Sequence, residues 1–376
     1  MAGLYIHIPF CKSFCAYCDF YSVTDTTMAG RLVDAIISES ALRAGYLEGE
    51  GVETIYFGGG TPSLLGVPDI RRILSELANH FAISDNPEVT LEANPDDLNK
   101  KYLDELMLSG VNRLSLGVQS WNDSRLKFLG RRHTAEQSAA ALEEAARAGF
   151  DNISADLIYG IPGMALSDLR HDLEMTFSYP VKHLSAYHLT IEEGTRFGKM
   201  KKEGRLSEAD EEASASMFSL LGNECRTHGL IHYEISNFAK EGFISRHNSS
   251  YWKQIPYLGL GPSAHSFDRR SRQWNVSNLK KYIKSVEEGA VMCEREELDR
   301  ITVFNEYLMT SLRTMWGVEL DHVEQQFDKE LRDYLVNLSD KYIRYGLMQR
   351  NKNTLVLTDQ GKMISDNIIG ELLMEL

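Results

Sequence analysis

Cys11, Cys15 and Cys18 stand in the order CxxxCxxC within His7-Ile8-Pro9-Phe10-Cys11-Lys12-Ser13-Phe14-Cys15-Ala16-Tyr17-Cys18, and they supply three thiolates with no fourth beside them. A structural zinc site closes its tetrahedron with four protein ligands, whereas a cubane iron–sulfur cluster held by three cysteines leaves one iron open to an outside ligand. The open iron is a place for chemistry. The zinc alternative needs a fourth ligand from elsewhere in the chain, with His7 and Cys225 as candidates.

Further polar residues follow at positions where a ligand could be gripped. Phe57-Gly58-Gly59-Gly60-Thr61-Pro62 places three glycines in succession, which lets backbone amides of Gly59, Gly60 and Thr61 approach a ligand that any Cβ would exclude; a tight strand-to-helix turn explains one of these glycines. Glu92, in Leu91-Glu92-Ala93-Asn94-Pro95, is suited to accept hydrogen bonds from a ribose or an amine, with a surface carboxylate as the alternative. Gln119 and Asp156 stand among apolar neighbours, where a polar side chain needs a partner and a ligand is one. Arg131 follows Gly130 and is available to pair with a carboxylate in a bidentate manner. Tyr5 is placed to pack beside the cluster or its ligand, or in the core. Far downstream, His247-Asn248-Ser249-Ser250-Tyr251-Trp252 brings an imidazole together with two aromatic rings that combine flat apolar area with polar edges.

The elements that must position these residues alternate. Gly3–Pro9, Val52–Phe57, Glu88–Ala93, Arg113–Val118, Asn152–Tyr159 and His183–Thr190 read as strands. Between them lie amphipathic stretches such as Pro68–Phe81, with Ile70, Ile73, Leu74, Leu77 and Phe81 at helical spacing, and Thr134–Ala148, opened by a Thr134/Gln137 capping pair. Such alternation predicts a parallel sheet with helices outside, in which function gathers at the carboxyl ends of the strands. The pattern changes near Ser207, after which come a long helix at Ser207–His228, a strand around Ile231–Phe238 and an irregular Gly/Pro stretch at Tyr257–Ser263. From about Arg295 the chain is mainly helical, with helices near Leu320–Phe327 and Lys329–Tyr345, a hairpin at Leu347–Leu357 and a last helix, a winged-helix-like order. The expected units are 1–206, 207–294 and 295–376.

Composition bounds the function. The 376 residues suffice for one large α/β unit and a smaller one, with 43% hydrophobic and 25% charged residues. The net charge of -14 argues against a polyanionic partner, and the terminal unit, with seven Lys and Arg against eleven Asp and Glu from Glu319 onward, argues against DNA as the target of a winged helix. No run of eighteen apolar residues is present and Met1 leads directly into Leu4-Tyr5-Ile6, so neither a membrane span nor a signal peptide is expected; with clustered free cysteines, the reading is a cytoplasmic protein. Cys225 and Cys293 read as ordinary thiols.

Taken together, the cysteine motif resembles that of radical S-adenosylmethionine enzymes, in which the open iron chelates the amino and carboxylate groups of the cofactor, and Gly58-Gly59-Gly60 resembles the segment that holds its methionyl amino group. More widely, His-Ile-Pro-Phe-Cys, Phe-Gly-Gly-Gly-Thr-Pro, Leu-Glu-Ala-Asn-Pro, Gly-Val-Gln-Ser and Gly261-Pro262-Ser263-Ala264-His265-Ser266 resemble the oxygen-independent coproporphyrinogen III oxidase family over nearly the whole chain. Two departures and one presence point to its heme-chaperone branch. Phe20 stands where the oxidase carries a further cysteine, only ten residues precede the cluster motif, and the hexad from His247 matches the HNxxYW signature of that branch. The resemblance implies an incomplete parallel (β/α)6 barrel with a smaller C-terminal domain. It also implies a [4Fe–4S] cluster on Cys11, Cys15 and Cys18, and S-adenosylmethionine surrounded by Gly59, Gly60, Thr61, Glu92, Gln119, Arg131 and Asp156. Heme would be held through His247, Asn248, Tyr251 and Trp252 and passed to respiratory acceptor proteins, with no nucleic acid involved. A homodimer and a peripheral membrane association through the acceptors stay open. The competing activity is oxidative decarboxylation of coproporphyrinogen III; a purely regulatory winged-helix protein is the third reading.

Overall fold

The computed structural model describes residues 1–374. Its first part runs β1 (Ala2–Ile8), α1 (Ala29–Leu42), β2 (Val52–Gly59), α2 (Val67–His80), β3 (Ile83–Ala93), α3 (Lys100–Met107), β4 (Arg113–Gln119), α4 (Asp123–Leu129), α5 (Ala135–Arg147), β5 (Asn152–Tyr159), α6 (Leu166–Phe177) and β6 (His183–His188). All six strands pair in parallel, in chain order from β1 to β6. The period of two explains both faces of this sheet. On β1, Leu4, Ile6 and Ile8 are fully buried in a core shared with Leu32, Val33 and Ile36 of α1, while Tyr5 and His7 fall on the opposite face. On β4 and β5 the same alternation sends Leu114, Leu116, Ile153 and Ala155 to the helices and Arg113, Ser115, Ser154 and Asp156 to the concave interior.

Two helix ends follow their sequence signals, whereas the long helix expected from Ser207 begins at Glu211 behind an Asp210 cap. α5 opens on the complete Thr134/Gln137 capping box, and α4 stops at Gly130, which adopts the left-handed conformation (φ 78°) and releases the chain toward Arg131.

The second segment adds α7 (Arg196–Lys202), α8 (Glu211–Thr227), β7 (Ile231–Glu234), β8 (Asn237–Ala239), α9 (Arg246–Trp252), β9 (Tyr257–Leu260), β10 (His265–Phe267), β11 (Ser271–Asn275), α10 (Leu279–Glu287) and β12 (Cys293–Glu297). Two expectations are corrected here. The single strand around Ile231–Phe238 is a tight antiparallel hairpin of β7 and β8 set against β6, because Glu234 turns the chain by accepting the Ser236 amide at 3.2 Å and the Asn237 side chain. The irregular stretch at Tyr257–Ser263 begins with β9, a strand parallel to β1, from which β10, β11 and β12 continue antiparallel at the far edge.

Glu39 of α1 ties this extension to the barrel. Fully buried, it accepts the Tyr282 hydroxyl at 2.6 Å, the Asn275 amide at 2.7 Å and the Gly261 backbone N–H at 2.9 Å, and it pairs with Arg43 at 3.4 Å. The last segment, α11 (Arg300–Ser311), β13 (Val318–Glu319), α12 (Leu320–Gln326), α13 (Lys329–Arg344), β14 (Met348–Asn351), β15 (Thr354–Leu357), α14 (Asp359–Met363) and α15 (Ser365–Leu372), has its own core from Phe304 to Leu372 and its own three-stranded sheet. It docks on the β7 hairpin through backbone bonds from Met315 N to Tyr233 O and from Ile235 N to Arg313 O. Among the described residues no helix is long and apolar enough to cross a membrane.

Removal of the Glu39 carboxylate would leave a buried guanidinium, amide and phenol without their shared acceptor. Glu39→Ala is therefore expected to lower the unfolding free energy by about 3–5 kcal/mol, read as a shift of the denaturant midpoint. A change below about 1 kcal/mol, the scale of an exposed ion pair, would contradict this role.

Candidate functional site

A cavity of about 420 Å³ opens at the carboxyl ends of the parallel strands. Cys11, Cys15 and Cys18 line one side of it on the loop after β1, and Gly59, Gly60, Thr61, Glu92, Gln119, Arg131 and Asp156 are among the residues that line the rest.

The loop is held close to β2 by the glycines. Gly59 has φ 110°, and a Cβ there would lie 2.6 Å from the His7 ring; a Cβ on Gly60 would lie 2.7 Å from the carbonyl oxygen of Phe10. The backbone of the segment entering the cysteine motif therefore rests directly on the end of β2, and the Thr61 hydroxyl reaches Cys11 Sγ at 3.5 Å. On the other side, Ala16 N donates to Leu129 O and Phe197 N to Ala16 O, both at 2.9 Å, which fixes the middle of the loop between α4 and α7.

Arg131 joins the thiols to the strand ends. Its Nη1 approaches Cys15 Sγ at 3.6 Å, its Nη2 donates to Gly117 O at 3.0 Å and to Asn94 Oδ1, and its Nε is buried without a partner. A buried cation with a spare donor beside three thiols suits a bound anion at the thiols. The donor set fits a cubane better than zinc. His7 has both ring nitrogens engaged, by the Tyr5 hydroxyl at 3.2 Å and the Tyr21 carbonyl at 3.0 Å, and Cys225 is buried in the core on α8.

Two carboxylates face each other across the interior. Glu92 accepts the Tyr56 hydroxyl at 2.8 Å and the Gly59 N–H at 3.2 Å, and Asp156 accepts the Ser115 hydroxyl at 3.0 Å. Burial pushes Glu92 up to about 7, an effect to which the charge of Asp156 adds, and burial pushes Asp156 up to about 6. A cation entering the cavity would offset both. Gln119 closes β4 with φ 65° at a break in the β4–β5 register, which frees its end of the strand from regular pairing.

Other placements differ from expectation. Tyr5 does not line the cavity: it lies beneath it, stacked on Tyr56 with ring centroids 6.2 Å apart and bonded to His7. The hexad forms α9, and only Asn248 of it reaches the cavity. α9 closes the floor of the barrel, with His247 buried and Asn248, Tyr251 and Trp252 partly exposed. Glu88 of β3 accepts the backbone N–H of Arg246 at 3.0 Å and of His247 at 2.9 Å, at the helix N-terminus where a carboxylate is favoured. His247 is 1% exposed, with Nδ1 bonded to the Thr54 hydroxyl and Nε2 to the Tyr251 hydroxyl, each at 2.8 Å. Its ring stacks on Tyr56 at 5.0 Å, one bond away from Glu92. Axial ligation of an iron would break one of those bonds and pull the ring from the core. Burial lowers its basicity to about 3, so the ring is neutral near pH 7.

Sequence reasoning passed over Tyr56, Asn94, Ser115, Tyr187 and His188, all of which line the cavity. The first four were within reach, since Tyr56 and Ser115 share the inward register of Gly58 and Gly117, Asn94 follows Glu92 at the strand end, and Tyr187 is two residues beyond the inward Ser185.

A parallel partial barrel with three cysteines after its first strand defines the radical SAM class, and the profile of the Radical SAM superfamily matches residues 5–176 while that of the HemN C-terminal domain matches 298–364. Coproporphyrinogen III oxidase (HemN) from Escherichia coli shares the fold, with a TM-score of 0.85 over 100% of this chain and 90% of that one at 23% identity. Heme chaperone HemW of Bacillus subtilis is 33% identical over the full length of both chains, and that of Lactococcus lactis is 33% identical over 99% of this chain and 97% of its own. The mouse mitochondrial radical S-adenosyl methionine domain-containing protein 1 is 31% identical over all of this chain and 88% of its own. The chain belongs to the heme chaperone HemW family.

The raised carboxylates give a pH signature. A folded-state value above the unfolded one means that the folded chain holds the proton more tightly, so this stability is complete near pH 4 and is lost as pH rises through about 6 to 7. The unfolding free energy of the ligand-free protein should decline over that window, and Glu92→Gln should flatten the decline; an unaltered slope in that variant would contradict the assignment.

Proposed function

We propose that this protein is a heme chaperone that carries a [4Fe–4S] cluster on Cys11, Cys15 and Cys18, binds S-adenosylmethionine in the cavity beside it, holds heme and passes it to respiratory acceptor proteins. The observation that carries this reading is the convergence of three thiols, an Arg131 with a spare donor and two interior carboxylates on one cavity, in a chain alike over its full length to named heme chaperones.

Each group has a part that its surroundings support. The thiols ligate irons, and Arg131 offsets the negative charge that thiolates and sulfides bring. Gly59 and Gly60 offer backbone groups to the amino acid end of S-adenosylmethionine, next to the thiols. Glu92 and Asp156 face a ligand whose ammonium and sulfonium are both cationic, which draws the two carboxyls to their charged forms. Gln119 and Thr61 add neutral donors and acceptors. One-electron reduction is the chemistry a cluster supplies here when bound. Cytoplasmic residence belongs to the same reading; a homodimer and a peripheral contact with the membrane through the acceptors are compatible with it.

Coproporphyrinogen III decarboxylation is the competing activity. The likeness to the Escherichia coli oxidase concerns the fold, and Phe20, where the family resemblance implies a further cysteine in the oxidase, puts a phenyl ring at the cavity edge. One preparation separates the readings. Anaerobic reconstitution should give about four irons per chain, lost in the triple Cys11, Cys15, Cys18→Ala variant. The wild-type protein should then bind heme and leave coproporphyrinogen III unconverted. Stoichiometric zinc without visible absorbance would overturn the cluster, and turnover at the rate of a true oxidase would overturn the chaperone.

A further inference from the structure

Below the cavity, the barrel interior holds a second line of polar groups that leads away from Asp156. Ser154, the preceding inward residue of β5, places its hydroxyl 3.5 Å from Asp156 Oδ1 and 3.4 Å from the hydroxyl of Ser185, which also lines the cavity. The same Ser154 oxygen meets His183 Nδ1 at 2.8 Å, and His183 Nε2 meets the Tyr233 hydroxyl at 2.7 Å. Ser154, His183 and Tyr233 are all fully buried. At the far end the C-terminal unit holds Tyr233, whose carbonyl accepts Met315 N at 2.9 Å and whose ring lies 6.2 Å from that of Trp316.

Only one direction of donation suits this line. Burial, to which the charge of Arg113 adds, lowers the basicity of His183, so its ring is neutral and offers one donor and one acceptor. Among the described residues the Tyr233 hydroxyl has no acceptor other than His183 Nε2. Donation there occupies the lone pair of Nε2 and puts the ring proton on Nδ1, which donates it to Ser154; the Ser154 proton is then free for Asp156 or Ser185. The opposite tautomer would leave the phenol proton buried without an acceptor. Asp156 is also faced by Glu92 of β3, Tyr56 of β2, Tyr187 of β6 and the guanidinium groups of Arg113 and Arg131. None of the five is held by His183 or Tyr233 through a hydrogen bond, so the Ser154 line acts on Asp156 separately from them.

We propose that Tyr233 and His183 are positioning residues for Asp156: they hold the Ser154 hydroxyl as a donor aimed at the cavity and so favour the ionised carboxylate that a cationic ligand meets there. Neither touches the ligand. The inference rests on the cavity being the S-adenosylmethionine site, and it adds a support for that site which begins at the seam with the C-terminal unit. Without the phenol hydroxyl the imidazole is free to carry its proton on Nε2. Ser154 then donates to Nδ1, Asp156 loses that donor and keeps Ser115, and its carboxyl holds its proton to a higher pH.

Tyr233→Phe keeps the ring and removes the donor. In the ligand-free protein, the stability tied to Asp156 is lost as pH rises through its folded value of about 6. Tyr233→Phe should move that loss upward by about 0.5 in pH or more, the scale of one hydrogen bond to a carboxylate, and the move should vanish when Asp156→Asn is already present. In the anaerobically reconstituted full chain, with cluster absorbance intact, calorimetry should show S-adenosylmethionine bound about threefold less tightly by Tyr233→Phe near pH 5 and almost as tightly as by the wild type near pH 8. His183→Asn, which can keep a donor on Ser154, should move the loss less than His183→Leu. A Tyr233→Phe variant that is destabilised equally at every pH and binds the ligand with the wild-type pH profile would overturn the proposal. Absence of S-adenosylmethionine binding by the wild-type protein at any pH would instead remove the ligand reading, and the pH dependence of the ligand-free stability would still decide the role of Tyr233 and His183.

Discussion

The close approach of two strand ends governs the site. β1 and β2 run in register, with His7 opposite Gly58 and Ile8 opposite Gly59, so the chain leaving β1 has to cross directly over the end of β2. There is no room for a side chain at that crossing. Glycine at 59 and 60 satisfies the steric demand, and the crossing in turn sets Cys11 against Thr61, directs the cysteine loop over the cavity and leaves the Gly59 N–H to be claimed by Glu92. One packing constraint thereby places the thiols and a carboxylate of the ligand cavity in a single neighbourhood.

Beneath that crossing, the interior of the barrel is a polar stack in which each group is held by the next. Thr54 and Tyr251 bracket the His247 ring, His247 supports Tyr56, Tyr56 donates to Glu92, and Glu92 faces the cavity with Asp156 opposite. Such a stack is costly to desolvate and stable only when its members are paired, which ties the geometry of the upper cavity to the helix that closes the floor. The same helix meets the C-terminal unit, where Lys253, just past α9, lies over the Trp316 ring at 4.3 Å. The C-terminal unit is therefore in contact with the floor beneath the cavity through one short helix.

The repeating parts of this architecture were legible in the sequence. The six parallel strands stood out because each carries an apolar run on its helix-facing side, and the inward positions of Glu92, Gln119 and Asp156 follow from the period of two together with the strand ends. What stayed hidden depends on partners far along the chain. β9 is four residues long and is followed at once by Gly261 and Pro262, so its pattern reads as loop, and only pairing with β1, more than two hundred residues earlier, makes it a strand. Tyr5 and His247 are polar aromatics whose type suits a ligand contact and a core contact equally, and their partners Thr54, Tyr56 and Tyr251 are ones no local spacing reveals.

We infer a cluster with an open iron that S-adenosylmethionine meets from the cavity. The most direct measurement is Mössbauer spectroscopy of protein reconstituted with iron-57, recorded before and after S-adenosylmethionine is added. One iron of the cubane should change its isomer shift and quadrupole splitting on addition while the cysteine-bound irons hold theirs, and Glu92→Ala should raise the ligand concentration needed for the change. Spectra indifferent to the ligand, with all irons equivalent throughout, would contradict the account.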